Sequence, residues 1–141
     1  MRRGPFSPLA LCTIALGTAP APQGACEAGT GRESIGGHGV LEPLPAPVTP
    51  AVHCTGRRLY LEPGTYGWSL LSPGGTAPGR DVWLAGDWYA WSLCVHASSG
   101  GYAATTMLCP ESGTGPARSM TQSFDVAFEY TYSWESRLHR R

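Results

Sequence analysis

The clearest hydrophobic pattern lies near the end of the chain. Apolar or aromatic residues occupy every second position over one stretch, alternating with polar or small residues: Phe124, Val126, Phe128, Tyr130, Tyr132 and Trp134. This alternation predicts a half-buried strand. Shorter runs of the same kind, separated by Gly- and Pro-containing turns, begin near Arg57, and no stretch has a comparable helical period. The pattern predicts an all-β fold, a small antiparallel β-sandwich of about six strands, immunoglobulin-like or jelly-roll-like.

Two internal segments share one pattern. Residues 61–70 and 84–93 both read L-x-x-x-x-Y-small-W-S-L, and Tyr132-Ser133-Trp134 repeats the Y-x-W part. The segment from Leu61 to Tyr66 resembles the tyrosine-corner turn of fibronectin-type and immunoglobulin-like sandwiches, with the Tyr one position early. The resemblance implies that the Tyr hydroxyl bonds back to the backbone, and it implies no function. The predicted core comprises Tyr66, Trp68, Tyr89, Trp91, Leu93, Phe124, Val126, Phe128, Tyr130 and Trp134.

The predicted sandwich domain, residues 54–136, is flanked by three other segments. Residues 1–25 have the layout of a secretory signal peptide: a positive start, an apolar run from Phe6 to Leu16, then small residues and Pro. That run is too short to span a membrane, which takes about 20 residues. Residues 26–53 are rich in Gly and Pro and are predicted to be a linker. Residues 137–141 form a basic tail. The protein is therefore predicted to be secreted or extracytoplasmic, without a membrane span.

The charge balance argues against one class of partner. The ten basic residues are all Arg, ten Asp and Glu balance them, and the formal net charge is zero. Nucleic-acid binding depends on clustered positive charge that displaces counterions. We therefore expect no nucleic-acid partner.

The cysteines support export. The chain has five, and removal of a signal peptide would remove Cys12 and leave four, which predicts two disulfides. We favour Cys94–Cys109, across a hairpin centred near Gly101-Tyr102, together with Cys26–Cys54. The alternative joins Cys54 to Cys94 or Cys109 across two sheets, as in immunoglobulin-like sandwiches. No C-x-x-C pair is present, so no metal site is predicted.

The sequence gives little support to any arrangement of catalytic residues. His96 is the only histidine within the β region and has no recognisable nucleophile motif beside it. Asp125 and Glu129 would lie about 13 Å apart on an extended strand, farther than glycoside hydrolysis uses. No glycine-rich phosphate cradle opens a helix. We therefore predict a protein that is not an enzyme and holds no cofactor.

Aromatic residues are the strongest candidates for recognition. Trp83, Trp88 and Tyr102 fall off the predicted core face and are the candidate ligand-binding residues, since such rings stack on sugars or anchor protein interfaces. The favoured function is an exported surface recognition or structural module that binds a protein or carbohydrate surface. The alternative is a small secreted hydrolase inhibitor, which a rigid loop closed by Cys94 and Cys109 would favour.

Export can be tested by mass. We expect the extracytoplasmic protein to begin between Ala21 and Thr30, because the small residues there suit signal peptidase. Intact-mass measurement of the exported protein checks this. A mature species that starts at Met1 would contradict the signal peptide and return Cys12 to the disulfide count.

Overall fold

A computed structural model describes residues 32–43, 52–98, 100–113 and 115–141. Within these residues the chain forms eight antiparallel strands and no helix: β1 (Arg32–Leu41), β2 (Val52–Leu61), β3 (Gly64–Ser72), β4 (Gly75–Leu84), β5 (Asp87–Ser98), β6 (Gly101–Pro110), β7 (Arg118–Phe124) and β8 (Tyr130–Arg140). Sheet A has the order β1-β8-β3-β4, and sheet B has the order β2-β5-β6-β7. The predicted all-β antiparallel sandwich is confirmed, with eight strands instead of about six. Among the described residues, no helix has the length and apolar character needed to cross a membrane. The predicted signal peptide lies outside the described residues.

The connections are of two kinds. Short hairpins link β3 to β4, β5 to β6 and β6 to β7 within one sheet. The chain crosses from one sheet to the other between β1 and β2, β2 and β3, β4 and β5, and β7 and β8. The three later crossings are short, so the two sheets must pack closely where the chain changes sheet.

The predicted linker is wrong where β1 forms. β1 pairs with β8 along its whole length and buries Ile35 and Leu41, which are 8% and 1% exposed. Its inner positions between these two residues are Gly37 and Gly39. A β-carbon at Gly37 would lie 2.9 Å from Trp134 Nε1, and one at Gly39 would lie 2.6 Å from a ring carbon of His53. Large side chains from neighbouring strands fill the space, so β1 carries glycine and shows no hydrophobic period.

The predicted final strand is two strands. β7 ends at Phe124 in sheet B, residues 125–129 cross over, and β8 begins at Tyr130 in sheet A. The period-two alternation continues through the crossing, so the sequence pattern did not reveal that the chain changes sheet there. Phe128 and Tyr130 were predicted to be core residues, but they are 60% and 61% exposed. The predicted basic tail is part of β8 as far as Arg140.

The favoured disulfide pairing is wrong, and the alternative pairing of Cys54 with Cys94 is present. Cys54 is bonded to Cys94, with Cα atoms 4.1 Å apart, so neither Cys94–Cys109 nor Cys26–Cys54 forms. The β5–β6 hairpin closes with Ser98 opposite Gly101, so its centre lies closer to the N-terminus than the predicted centre near Gly101-Tyr102, which places Cys109 opposite Ala90 and not opposite Cys94. The observed bridge joins directly opposed residues of neighbouring strands in sheet B. It is therefore unlike the bridge between sheets in immunoglobulin-like domains.

A chain of hydrogen bonds crosses the core from sheet to sheet. Trp68 and Trp91, which are 1% and 0% exposed, belong to sheets A and B. Trp68 Nε1 donates to Ser136 Oγ and Trp91 Nε1 donates to Thr106 Oγ1, each at 3.2 Å. The two hydroxyl oxygens lie 3.0 Å apart. Both indoles are thus satisfied by hydroxyl groups that also contact each other across the sandwich.

The backbone completes this chain. Ser136 Oγ donates to the Ser69 carbonyl at 3.2 Å, and Thr106 Oγ1 lies 2.9 Å from the Ser92 carbonyl. Thr106 and Ser136 are both 0% exposed. A buried polar network stabilises a fold when every member has a hydrogen-bond partner. Loss of one member leaves a neighbouring buried group without its partner.

Thr106→Val tests the network. Valine keeps the shape of the side chain but leaves the Trp91 indole without its acceptor, so we expect a loss of about 1–3 kcal/mol in the free energy of unfolding. Thr105→Val is the matched control, because the Thr105 hydroxyl meets Thr121 on the exposed face at 3.0 Å. Urea denaturation should show a clearly smaller effect for Thr105→Val. Equal effects would mean that the network contributes nothing specific.

Candidate functional site

The three Y-x-W copies occupy equivalent places in the fold. Tyr66, Tyr89 and Tyr132 each follow a crossing between the sheets. Each hydroxyl donates to the backbone carbonyl four residues earlier: Tyr66 to Glu62 at 2.7 Å, Tyr89 to Ala85 at 2.9 Å and Tyr132 to Phe128 at 3.0 Å. The bond implied by the tyrosine-corner resemblance is present, and it occurs three times. The sequence repeat thus marks a repeated corner that turns the chain from one sheet to the other.

Burial affects two of the corner hydroxyls. Desolvation raises the pKa of Tyr66 and of Tyr89 above the ordinary value of 10.0, and nearby carboxylates at Glu62 and Asp87 act in the same direction. Arg140 partly opposes the effect at Tyr66, as Arg118 does at Tyr89. Both hydroxyls therefore remain protonated donors throughout the neutral pH range.

The third corner carries an exposed aromatic pair, Phe128 and Tyr130, which we call the aromatic tip. Their rings meet edge to face, with centroids 5.8 Å apart. Tyr130 also contacts Tyr132, with ring centroids 5.6 Å apart. Val40, which is 52% exposed, lies on β1 in the next pair of the ladder from Leu41–Tyr130. Three of the four large exposed hydrophobic residues described in the structure therefore lie at this end of the sandwich.

The other two corners provide an internal comparison. The residue whose carbonyl accepts the Tyr hydroxyl is Glu62 in the first corner and Ala85 in the second, and two residues before the Tyr stand Gly64 and Asp87. The third corner has the aromatic tip at these same two positions. Because two corners with the same hydrogen bond form without aromatic residues there, the corner itself does not require them.

The end of the sandwich that carries the tip is acidic. Glu42, Asp125 and Glu129 are exposed close to the ends of β1, β7 and β8 in its loops. The described arginines lie near the middle of the strands or towards the opposite end: Arg32, Arg57, Arg58, Arg80, Arg118, Arg137, Arg140 and Arg141. The zero net charge therefore conceals an uneven distribution along the strands.

The structure separates the three predicted ligand-binding residues. Trp83 is 59% exposed on β4, at the edge of sheet A. Trp88 is half-buried on β5 of sheet B, where the Arg58 guanidinium lies 4.0 Å from its ring centroid. Tyr102 is 5% exposed, stacks on Phe124 and donates to the Glu42 carbonyl at 2.5 Å. They do not form one surface, and Tyr102 has the surroundings of a core residue.

The aromatic tip was missed because its residues continue the core alternation. A signal was nevertheless available. Alignment of Tyr132 with Tyr66 and Tyr89 places Phe128 and Tyr130 at corner positions that hold Glu62 and Gly64 in the first copy. Aromatic residues at positions that tolerate polar residues or glycine elsewhere indicate exposure.

The other surface features offer weaker candidates for a binding or catalytic site. A shallow groove of about 500 Å³ runs over sheet A beside Ser69, Glu135 and Arg137. Glu135 and Arg137, both on β8, form an ion pair at 3.0 Å on its wall. His96 Nδ1 lies 3.1 Å from the neighbouring Ala97 carbonyl. In the part of the chain that the structure describes, no three His, Cys, Asp or Glu side chains cluster as metal ligands would.

Comparisons with protein families, with curated proteins and with solved structures gave no match to this chain.

Alkaline pH tests the corners. A group whose pKa is raised on folding stabilises the fold below its unfolded pKa, and this contribution is lost as pH rises through the folded value. For Tyr66 and Tyr89 we therefore expect the free energy of unfolding to fall above about pH 10. The Tyr66→Phe/Tyr89→Phe variant should lose about 1 kcal/mol per hydrogen bond at pH 7 and should decline less at alkaline pH.

Urea denaturation between pH 7 and pH 11 provides the measurement. Tyr60→Phe is the control, since Tyr60 packs edge-on against Trp88 and does not close a corner. If the double variant and the wild type decline equally above pH 10, the corner hydroxyls are not the groups responsible.

Proposed function

We propose that the protein is an exported, non-enzymatic recognition module that binds a protein surface through the aromatic tip. The comparison of the three corners carries this proposal. The first two corners form the same Tyr-to-carbonyl hydrogen bond with non-aromatic residues at these two positions, and the third corner presents two large rings to solvent there. Clustered exposed aromatic residues are typical of interaction sites, and aromatic anchors dominate the energy of many protein interfaces.

The ring geometry favours a protein partner over a sugar. Sugar rings stack on flat aromatic faces, but the planes of Phe128 and Tyr130 meet at 68° and those of Tyr130 and Tyr132 at 76°. Edge-to-face rings form a projection instead of a platform. A projecting apolar group suits insertion into a pocket of a partner protein.

The corner prepares the tip for binding. The Tyr132 hydroxyl holds the Phe128 carbonyl, and Tyr130 already belongs to the β1–β8 ladder. The backbone on both sides of the tip is therefore fixed before the partner arrives. Preorganisation of this kind reduces the ordering cost of association.

The charges favour a basic partner surface. Glu42, Asp125 and Glu129 are exposed at the same end of the sandwich as the tip, and complementary charge accelerates association and selects among partners. Export is supported by the signal-like N-terminal sequence and by the Cys54–Cys94 bridge. The alternative of a hydrolase inhibitor has less support, because it relied on a loop closed by Cys94 and Cys109, which are not bonded to each other.

Phe128→Ala/Tyr130→Asp tests the proposal. This variant gives the third corner the residues that the second corner has at Ala85 and Asp87, so we expect the fold to be retained and binding to be lost. Removal of two aromatic anchors should weaken binding by at least about 30-fold. The measurement is capture on immobilised mature protein from the native extracellular and cell-surface fraction, followed by titration of each captured protein.

Trp83→Ala is the matched control, because Trp83 is as exposed as the tip and lies on a different strand. A specific partner should bind the wild type and Trp83→Ala alike. Its binding should weaken as salt rises from about 50 to about 300 mM, because the Debye length is about 10 Å at 0.1 M salt and shortens as salt is added. Partners that bind the tip variant as tightly as the wild type would overturn the proposal. Thermal unfolding of each variant shows whether the fold is intact.

A further inference from the structure

The charges of the described chain are divided unequally along the strands. The end that carries the aromatic tip has three carboxylates, Glu42, Asp125 and Glu129, and no arginine among the described residues. The eight described arginines lie elsewhere, and six carboxylates accompany them: Glu33, Glu62, Asp81, Asp87, Glu111 and Glu135. Eight against six leaves an excess of two positive charges, so the described chain has an acidic end and a basic remainder.

The groove over sheet A lies in the basic part, far along β8 from the tip. Its volume is about 500 Å³, and Arg137 stands on its wall. Arg137 comes seven residues after Tyr130 in β8, which corresponds to about 23 Å in an extended strand. The ladder neighbours of Arg137 are Ser34 on β1 and Ser69 on β3. Both side chains are short, so the Arg137 side chain is left 58% exposed.

Arg137 gives the groove the chemistry that the tip requires. A guanidinium packs against aromatic rings and also binds carboxylates. Arg137 uses Nε and Nη2 to bond Glu135 Oε1, at 3.1 and 3.0 Å, and the guanidinium carries further N–H groups. The second carboxylate of the groove lining, Glu33, is paired with Arg57. Both carboxylates that line the groove therefore already face an arginine.

The tip cannot enter the groove of its own chain. Strand β8 connects the two, and it is hydrogen-bonded to β1 on one side and to β3 on the other. A strand inside a sheet cannot fold back on itself, so the separation of about 23 Å is fixed. Any contact between tip and groove therefore joins two molecules.

We infer that the aromatic tip of one molecule docks in the sheet A groove of a second copy, so that the protein assembles head to tail. The inference rests on the proposed function, which sets two requirements for the partner: a basic surface and a concavity for the projecting rings. This chain presents both in one place. In the contact, Phe128 and Tyr130 pack beside the Arg137 guanidinium, and the carboxylates of the tip end face the arginine excess.

The contact joins two different surfaces, and this determines the kind of assembly. A head-to-tail pair keeps one unused tip and one unused groove. Heterologous contacts of this kind continue into filaments, or close into rings where the rotation between neighbours permits it. Self-association should therefore proceed beyond the dimer.

Sedimentation velocity of the mature protein tests the inference. We expect the average mass to rise with protein concentration in low salt and to fall as salt is added, because salt screens the complementary charges. The tip variant Phe128→Ala/Tyr130→Asp and the groove variant Arg137→Glu should each weaken self-association at least about tenfold. Arg118→Glu is the matched control, since it makes the same charge change on β7 of sheet B and should associate like the wild type.

A second groove variant guards against a folding defect in Arg137→Glu. Ser34→Glu places a carboxylate directly opposite Arg137 at an exposed position, where it can bond the guanidinium without disturbing the core. It should weaken self-association as Arg137→Glu does. Thermal unfolding shows which variants keep the fold.

A mixture of the tip variant and a folded groove variant separates this contact from other kinds of association. The tip variant keeps its groove and the groove variant keeps its tip, so together they should form a dimer that cannot grow. Self-association that survives in either variant, or a mixture that stays monomeric or grows beyond the dimer, would overturn the inference. If the wild type stays monomeric while its tip still captures a different protein, the head-to-tail contact is wrong and the proposed function stands.

Discussion

The contact between the hydroxyls of Thr106 and Ser136, 3.0 Å apart at the centre of the sandwich, is the constraint on which the rest of the structure depends. An indole N–H buried without an acceptor costs free energy, and the stability of a small domain leaves little room for such losses. Trp68 and Trp91, the largest fully buried side chains, keep their indole N–H groups paired there because these two hydroxyl oxygens accept hydrogen bonds from them. The same contact fixes how the sheets face each other, since one hydroxyl belongs to each sheet.

The Y-x-W repeat connects this centre to the periphery. In each copy the Tyr secures a crossing between sheets, and the Trp two residues later lies on the same face and enters the core. The third copy differs from the other two in the core, at its Trp, as well as at the surface, at the aromatic tip. Trp134 is 3% exposed, yet its Nε1 has no hydrogen-bond partner in the described part of the chain, and Gly37 of β1 makes room for its ring. The copy that differs in the core is also the copy that carries the aromatic tip.

Sequence reasoning succeeded where alternation and burial coincide. Trp68, Trp91 and Leu93 were predicted to be core residues because the inner face of a half-buried strand repeats every two positions, and they are buried. Sequence reasoning failed for β1, where the space beside Gly37 and Gly39 is filled by Trp134 and His53 from other strands. It failed also at residues 125–129, because a change of sheet preserves the alternation that was used to detect a strand. Long-range packing and chain crossings leave no local period.

The disulfide error has the same origin. Alternation placed Cys94 and Cys109 on one face of their hairpin, and the burial of Leu93 and Leu108 on the other face agrees with that. Which residues face each other depends on where the hairpin turns, and a short shift of the turn moves every pair along the ladder. The prediction of the ligand-binding residues failed for a similar reason. A residue that falls outside the core pattern can belong to either sheet, and the pattern does not show which. Trp83 and Trp88 are near in sequence but belong to different sheets.

The distribution of surface types then leaves one end of the molecule suited to a partner. The outer face of sheet B is buried at its centre, and the outer face of sheet A carries polar and charged side chains, including the ion pair of Glu135 and Arg137. The described arginines lie away from the loops around Phe128. Apolar rings contribute affinity when water is excluded from them, and carboxylates at the same end of the molecule select the sign of the surface that approaches. Among the described residues, exposed aromatic rings and nearby carboxylates coincide only where the third corner turns the chain from sheet B into sheet A.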